Sequence, residues 1–241
     1  MVLVTSVGFD DFKEIGDPVS MATIFQDQAA DELVFVDIDA SRLGRQTLLL
    51  DIIEKATSRI FMPITVGGGV RSGDDFRLLL LAGADKVSIN SEAVRNKNLI
   101  TEASRRFGAQ CVVVSIDYRI DRNNKAMVWT HGGTQNTEKN AIEWACEAQC
   151  LGAGEILLTS IDRDGSRKGL DIGTLKEVTG KLTIPVIASG GCGSTAHFTE
   201  GYRDGGADAV SAGTFFCFKD ENLMQTRSQI SNAGIPIRIH S

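Results

Sequence analysis

Two aspartates in this sequence stand where apolar runs break off: Asp117 closes CVVVSID at 111–117, and Asp164 ends LLTSIDRD at 157–164. A continuous apolar run of this length reads as a strand buried on both faces, so its charges belong at its end. Carboxylates partly enclosed near one another can take different protonation states and exchange protons with the middle of a bound molecule. Asp162 reads instead as a group that positions Arg163 and its loop. Asp37 and Asp39 close a similar run, VFVDIDAS at 34–41, where loop bracing and chemistry stay equally open.

Glycines recur at corresponding strand ends. Gly67, Gly68 and Gly69 follow one run, and Asn90 with Ser91 ends the next; later, Ser189, Gly190 and Gly191 are followed by Ala212, Gly213 and Thr214. Glycine lets backbone N–H groups approach a phosphate closely, and a helix N-terminus adds a favourable dipole. A single glycine pair serves a tight turn. Four correlated positions imply two phosphate cradles facing one mouth, hence a small molecule phosphorylated at both ends.

Such positions need a scaffold. Short apolar runs at 33–38, 62–66, 85–89, 111–116, 155–161, 184–188 and 207–211 predict strands. Helical patterns at 18–30, 46–58, 73–82, 95–107, 137–151, 172–180, 195–204 and 220–232 alternate with them. This alternation implies parallel strands with helical crossovers, an α/β barrel. A doubly wound open sheet would lead with a glycine-rich dinucleotide loop, which the sequence lacks. The halves also resemble one another: IFMPITVGGGVRSGDDF at 60–76 lies over LTIPVIASGGCGSTAHF at 182–198, and AGADKVSINS at 82–91 over GGADAVSAGT at 205–214. The chain reads as a doubled half-barrel forming one domain over 1–241.

With 42% hydrophobic and 23% charged residues, the 241-residue chain can bury a large core. No apolar stretch approaches the roughly 20 residues that cross a bilayer, and the N-terminus lacks a signal-peptide pattern, so a cytoplasmic location is expected. A net charge of -6 argues against nucleic acid as partner. Five cysteines without CxxC spacing read as buried reduced thiols, and no metal site is expected. His131, His197 and His240 read as surface or satisfied polar side chains.

The residues resemble the cyclase subunit of imidazole glycerol phosphate synthase, from histidine biosynthesis. The resemblance is carried by GDPV at 16–19, ADELVFVDIDAS at 30–41, PITVGGGVRS at 63–72, GADKVSINS at 83–91, VVVSID at 112–117, LGAGEILLTSIDRDG at 151–165, IPVIASGG at 184–191 and GGAD at 205–208. It implies a (βα)8 barrel of the TIM type and a lyase without cofactor. The enzyme would take ammonia from a glutaminase subunit and convert a bis-phosphorylated ribulosyl-formimino ribotide into imidazole glycerol phosphate and an aminoimidazole carboxamide ribotide. By position, Asp117 matches one of two catalytic aspartates and Asp164 an assisting one, and the glycine and hydroxyl positions match the phosphate sites. At the other end Glu32, Lys86 and Glu155 match charged residues ringing an ammonia passage, and Asp85 a residue near the glutaminase contact.

The sequence also departs from that pattern. The family's first strand, with a catalytic aspartate and a channel arginine, is expected ahead of MVLVTSVGF and is missing, and Thr5 stands where the family has a lysine. Either residues 2–9 take that strand's place, a partner fills it, or the start of the chain is incomplete. DIDASR at 37–42, in place of DITAS, is closer to a paralogous branch that supplies ammonia for amidating surface-polysaccharide sugars. A third class is a non-catalytic barrel that binds and regulates a glutaminase.

Overall fold

In the computed structural model, which describes residues 2–38, 40, 49–218 and 222–238, the apolar runs become short strands covered on both sides. A hairpin comes first, β1 (Leu3–Val7) with β2 (Asp10–Gly16), followed by α1 (Pro18–Asp27), β3 (Leu33–Val36) and α2 (Leu50–Thr57). β4 (Ile64–Gly67), α3 (Gly73–Leu81), β5 (Lys86–Ile89), α4 (Ser91–Arg95) and α5 (Asn98–Phe107) complete the first half. The second half opens with β6 (Val112–Ile120), an antiparallel ribbon β7 (Ala126–Thr130) and β8 (Gln135–Asn140), α6 (Ala141–Leu151) and β9 (Glu155–Ser160). It closes with α7 (Ile172–Thr179), β10 (Val186–Ser189), α8 (Thr195–Arg203), β11 (Ala209–Ser211), α9 (Thr214–Phe218) and α10 (Leu223–Asn232).

The parallel strands run in the order β11-β10-β9-β6-β5-β4-β3. The sheet curls, because Val34 of β3 packs on Val113, Leu157 and Ile187 of β6, β9 and β10, residues several strands away along the path. Alternation sets the two faces. On β6, Val112, Val114, Ile116 and Tyr118 join the main core beneath the helices, so Val113, Ser115 and Asp117 point inward. The fold is therefore the expected α/β arrangement of the TIM-barrel type. No helix among the described residues is long and apolar enough to cross a membrane.

Three local expectations need correction. The strand expected at 111–116 runs on to Ile120 and turns back through the ribbon β7–β8, so the helix expected from 137 starts at Ala141. The turn is made by Asp121, whose carboxylate accepts from the N–H groups of Asn123 and Lys125 at 2.8 Å each. The helix expected over 95–107 begins only at Asn98, as α5, and a separate short helix, α4, precedes it. Residues 2–9 do not take the place of a barrel strand: β1 pairs with β2 alone, as a separate two-stranded sheet. Residues 46–48 and 220–221 of the expected helices lie outside the described residues.

Candidate functional site

The C-terminal strand ends enclose a cavity of roughly 390 Å³, large enough for a small phosphorylated molecule. Its walls come from every part of the path, including Val36 of β3 and Ser211 of β11. Asp117 lies on the inner face of β6, in register with Thr159 of β9. Its carboxylate accepts from Asn90 Nδ2 at 2.7 Å and from Ser115 Oγ at 3.4 Å. Enclosure by the barrel wall pushes its pKa up to about 7; the bonds from Ser115, Asn90 and Thr159 pull the other way, and the charge of Asp164 adds to the rise.

Asp164 follows β9 and is held by the hairpin. Its carboxylate accepts from Ser6 Oγ at 2.7 Å, and its carbonyl accepts from Gly8 N at 3.0 Å. Burial again raises its pKa, against hydrogen bonds from Ser6 and the Phe9 backbone. Asp162 points elsewhere: it accepts from Arg119 Nη1 at 2.9 Å and from Ile120 N at 3.0 Å, so it clamps the end of β6. Asp37 lines the cavity and braces its loop, accepting from Ala40 N at 3.0 Å. Asp39 and residues 41–42, which carried the resemblance to the paralogous branch, lie outside the described residues.

Both glycine groups reach this mouth. Gly67, Gly68, Gly69, Asn90 and Ser91 line one side, and Ser189, Gly213 and Thr214 another. Gly190, Gly191 and Ala212 line a small adjoining cleft that shares Asp164, Ser189 and Thr214 with the main cavity. The two turns are built alike. A β-carbon added at Gly68, where φ is 95°, would lie 2.4 Å from the Asp37 carbonyl oxygen; one at Gly190, where φ is 88°, would lie 2.5 Å from that of Ser160. Asp37 and Ser160 occupy equivalent places after β3 and within β9, so the internal repeat extends to backbone approach. Gly68→Ala and Gly190→Ala are each expected to cost more than about 2 kcal/mol, read as a lowered denaturation midpoint.

Glu32, Lys86 and Glu155 stand away from the cavity, at the N-terminal strand ends. Lys86 Nζ donates to Glu32 Oε2 and to Glu155 Oε2, each at 2.8 Å. Burial works against the ammonium, yet the bonds and charges of Glu155 and Glu32 outweigh it and hold the Lys86 pKa above its ordinary value. On Glu155 the balance goes the other way: burial raises its pKa despite Lys86 beside it. Asp85 spends its carboxylate on Ile64 N at 2.8 Å, as Asp208 does on Val186 N at 2.9 Å in the second half.

Several cavity residues escape a sequence reading based on strand ends alone. Ser115 and Thr159 were accessible from alternation, since they share the inner face with Asp117. Ser6 and Thr5 enter through the hairpin, a contact between distant segments that no local pattern encodes. His131, expected to be a surface or satisfied polar side chain, lines the cavity with its Nδ1 3.1 Å from Thr130 Oγ1. His197 accepts from Gly193 N at 3.0 Å, and His240 lies outside the described residues. The cysteines are free thiols, but only Cys192 is buried and Cys150 is exposed, because the helix carrying Cys150 turns that face outward. A protein-family model described as "Histidine biosynthesis protein" matches residues 1–221.

Proposed function

The chain belongs to the histidine biosynthesis protein family, a family of barrel enzymes, and from that premise we propose that it acts as the cyclase subunit of imidazole glycerol phosphate synthase. One observation carries the reading. Along the sheet, β6, which bears Asp117, and β9, which Asp164 follows, lie between β4 and β5 of the first cradle and β10 and β11 of the second. A molecule held by a phosphate at each end would therefore present its middle to the two carboxylates.

The backbone N–H groups of the glycine turns bind the phosphates, and the acidic net charge is no obstacle to donors of this kind. Asp117, with a pKa of about 7, holds or releases a proton near neutrality and serves ring closure and cleavage as acid or base. Ammonia enters from the opposite end, past the Lys86 cluster, and a glutaminase subunit supplies it. Phe61 supports that partner: it is 92% exposed and lies just before β4, at the same end as Lys86. Phe61→Ser is expected to lower glutamine-dependent turnover severalfold while leaving ammonium-supported turnover within about twofold.

A second reading is favoured by Thr5, a buried hydroxyl at the cavity wall where the resembling family has a lysine. In it the barrel is not catalytic and instead binds and regulates a glutaminase. The test is turnover of the ribulosyl-formimino bis-phosphate with ammonium salts by this chain, with product identification. Imidazole glycerol phosphate as product supports the first reading; a folded protein that binds the substrate and yields no product sinks it.

A further inference from the structure

The turn between β7 and β8 holds a histidine in a conformation that side chains avoid. His131 has φ 54°, and Gly132 and Gly133 follow at 65° and 77°. One left-handed turn results, closed by Thr134 N donating to the Thr130 carbonyl at 3.1 Å. Glycine adopts this region freely, whereas a β-carbon there is strained, so the neighbours must enforce it. They do: His131 N donates to Ser91 Oγ at 3.0 Å, and the His131 carbonyl accepts from Thr134 Oγ1 at 2.8 Å. The ring's Nδ1 lies 3.1 Å from Thr130 Oγ1, and its Nε2 has no partner among the described residues. His131 belongs to the wall of the cavity that Gly68, Gly69 and Ser91 also line.

The charges of that wall make the position consequential. Asp37, Glu92, Asp117 and Asp164 line the cavity, against Arg71 and His131 as the lining side chains able to carry positive charge. Glu92 is already paired with Arg95 at 2.8 Å, and a phosphate entering among the remaining acids gains from a cation beside its cradle. We propose that His131 is a binding residue for the phosphate of the first cradle, donating from Nε2 as an imidazolium, so that anion affinity rises as pH falls. This rests on the reading of the cavity as the site of a phosphorylated ligand.

Charged and apolar groups both face the turn. Glu92 follows Ser91 in the first turn of α4 and pairs with Arg95 at 2.8 Å, the 37–38 segment packs on Gly132 through the Ile38 carbonyl, and Phe9 and Ile161 pack on Gly133. Asp117, Asp164 and Arg71 share the cavity.

Sulfate is the probe, because its charge stays constant between about pH 5.5 and 8, where imidazole titrates. Binding is followed by calorimetry and by the imidazole NMR signals of the wild-type chain, assigned with His131→Gln. Sulfate is expected to shift the His131 signals and raise their titration midpoint. His131→Gln is expected to bind sulfate about tenfold more weakly at the acid end and nearly as well as the wild type at the alkaline end. His131→Asn, which tolerates the left-handed turn, should behave alike and exclude a folding defect. Its KM for the bis-phosphate should rise with little change in kcat. Asp117→Asn should keep the pH dependence that His131 supplies. If sulfate binds while the His131 signals stay still, or if both His131 variants keep the full pH dependence, the proposal is overturned and the bis-phosphate reading stands. If sulfate does not bind the wild type at either end, both fall.

Discussion

Asp117→Asn is expected to lower turnover of the ribulosyl-formimino bis-phosphate by about a thousandfold or more and, at the same time, to stabilise the folded chain at alkaline pH. The first effect follows from position. Asp117 faces the cavity between the cradles, and a positioned acid or base contributes roughly 10²–10⁴ in rate. The second follows from its environment. Its pKa in the folded chain is pushed from 3.8 up to about 7. Below the unfolded value both states hold the proton and nothing is lost. Between the two values the unfolded chain ionises while the folded one does not, so stability falls as pH rises, and above the folded value the full cost stands. Three pKa units correspond to on the order of 4 kcal/mol. Asparagine resembles the neutral acid and still accepts from Asn90 Nδ2, so it escapes that cost. Denaturant unfolding of both proteins across pH should give curves that meet in acid, separate as pH rises from 3.8 to about 7, and stay a constant distance apart above that. Parallel curves would remove the buried-carboxylate account, and undiminished turnover would remove Asp117 from the chemistry.

Much of this site was legible because its geometry is periodic. Strand ends marked by Asp117 and Asp164, and glycines repeated at Gly68 and Gly190, translate directly into the rim of a curled parallel sheet. Alternation alone would have added Ser115 and Thr159. The ribbon β7–β8 was also open to view, since Ala126, Val128 and Thr130 alternate as buried positions. The helical pattern assigned from 137 onward obscured it, because the Asn140 cap, not the apolar spacing, decides where that helix begins. Other features lie beyond local reading. The grip of Ser6 on Asp164 spans 158 residues, and the entry of His131 into the cavity depends on a left-handed turn pinned by Ser91. Such contacts are chosen by the assembled fold, and no spacing in the chain announces them.

Lys86→Met should separate two roles that the cluster at the other end combines. Lys86 bridges two carboxylates, and the three side chains are 23%, 25% and 15% exposed for Lys86, Glu32 and Glu155. Removing one partner of a buried ion pair costs roughly 3–5 kcal/mol, and the residual exposure here reduces that to about 2–3 kcal/mol. The loss should be partly reversed by acid. Glu155 already has a raised pKa with Lys86 beside it, so without the lysine it takes up a proton more readily, and the variant regains stability as pH falls. Adding Glu32→Gln and Glu155→Gln removes the uncompensated charges and should restore stability at neutral pH. The triple variant then isolates function from folding. If the cluster governs ammonia entry, glutamine-dependent turnover should fall about tenfold or more in the triple variant, while turnover with ammonium salts changes little. If the ion pairs only plug the barrel's end, the two activities should move together and return with stability. Neutralisation matters because a gate made of charges is lost with them, whereas a plug needs only filled volume, and Met with two Gln fills nearly the same volume.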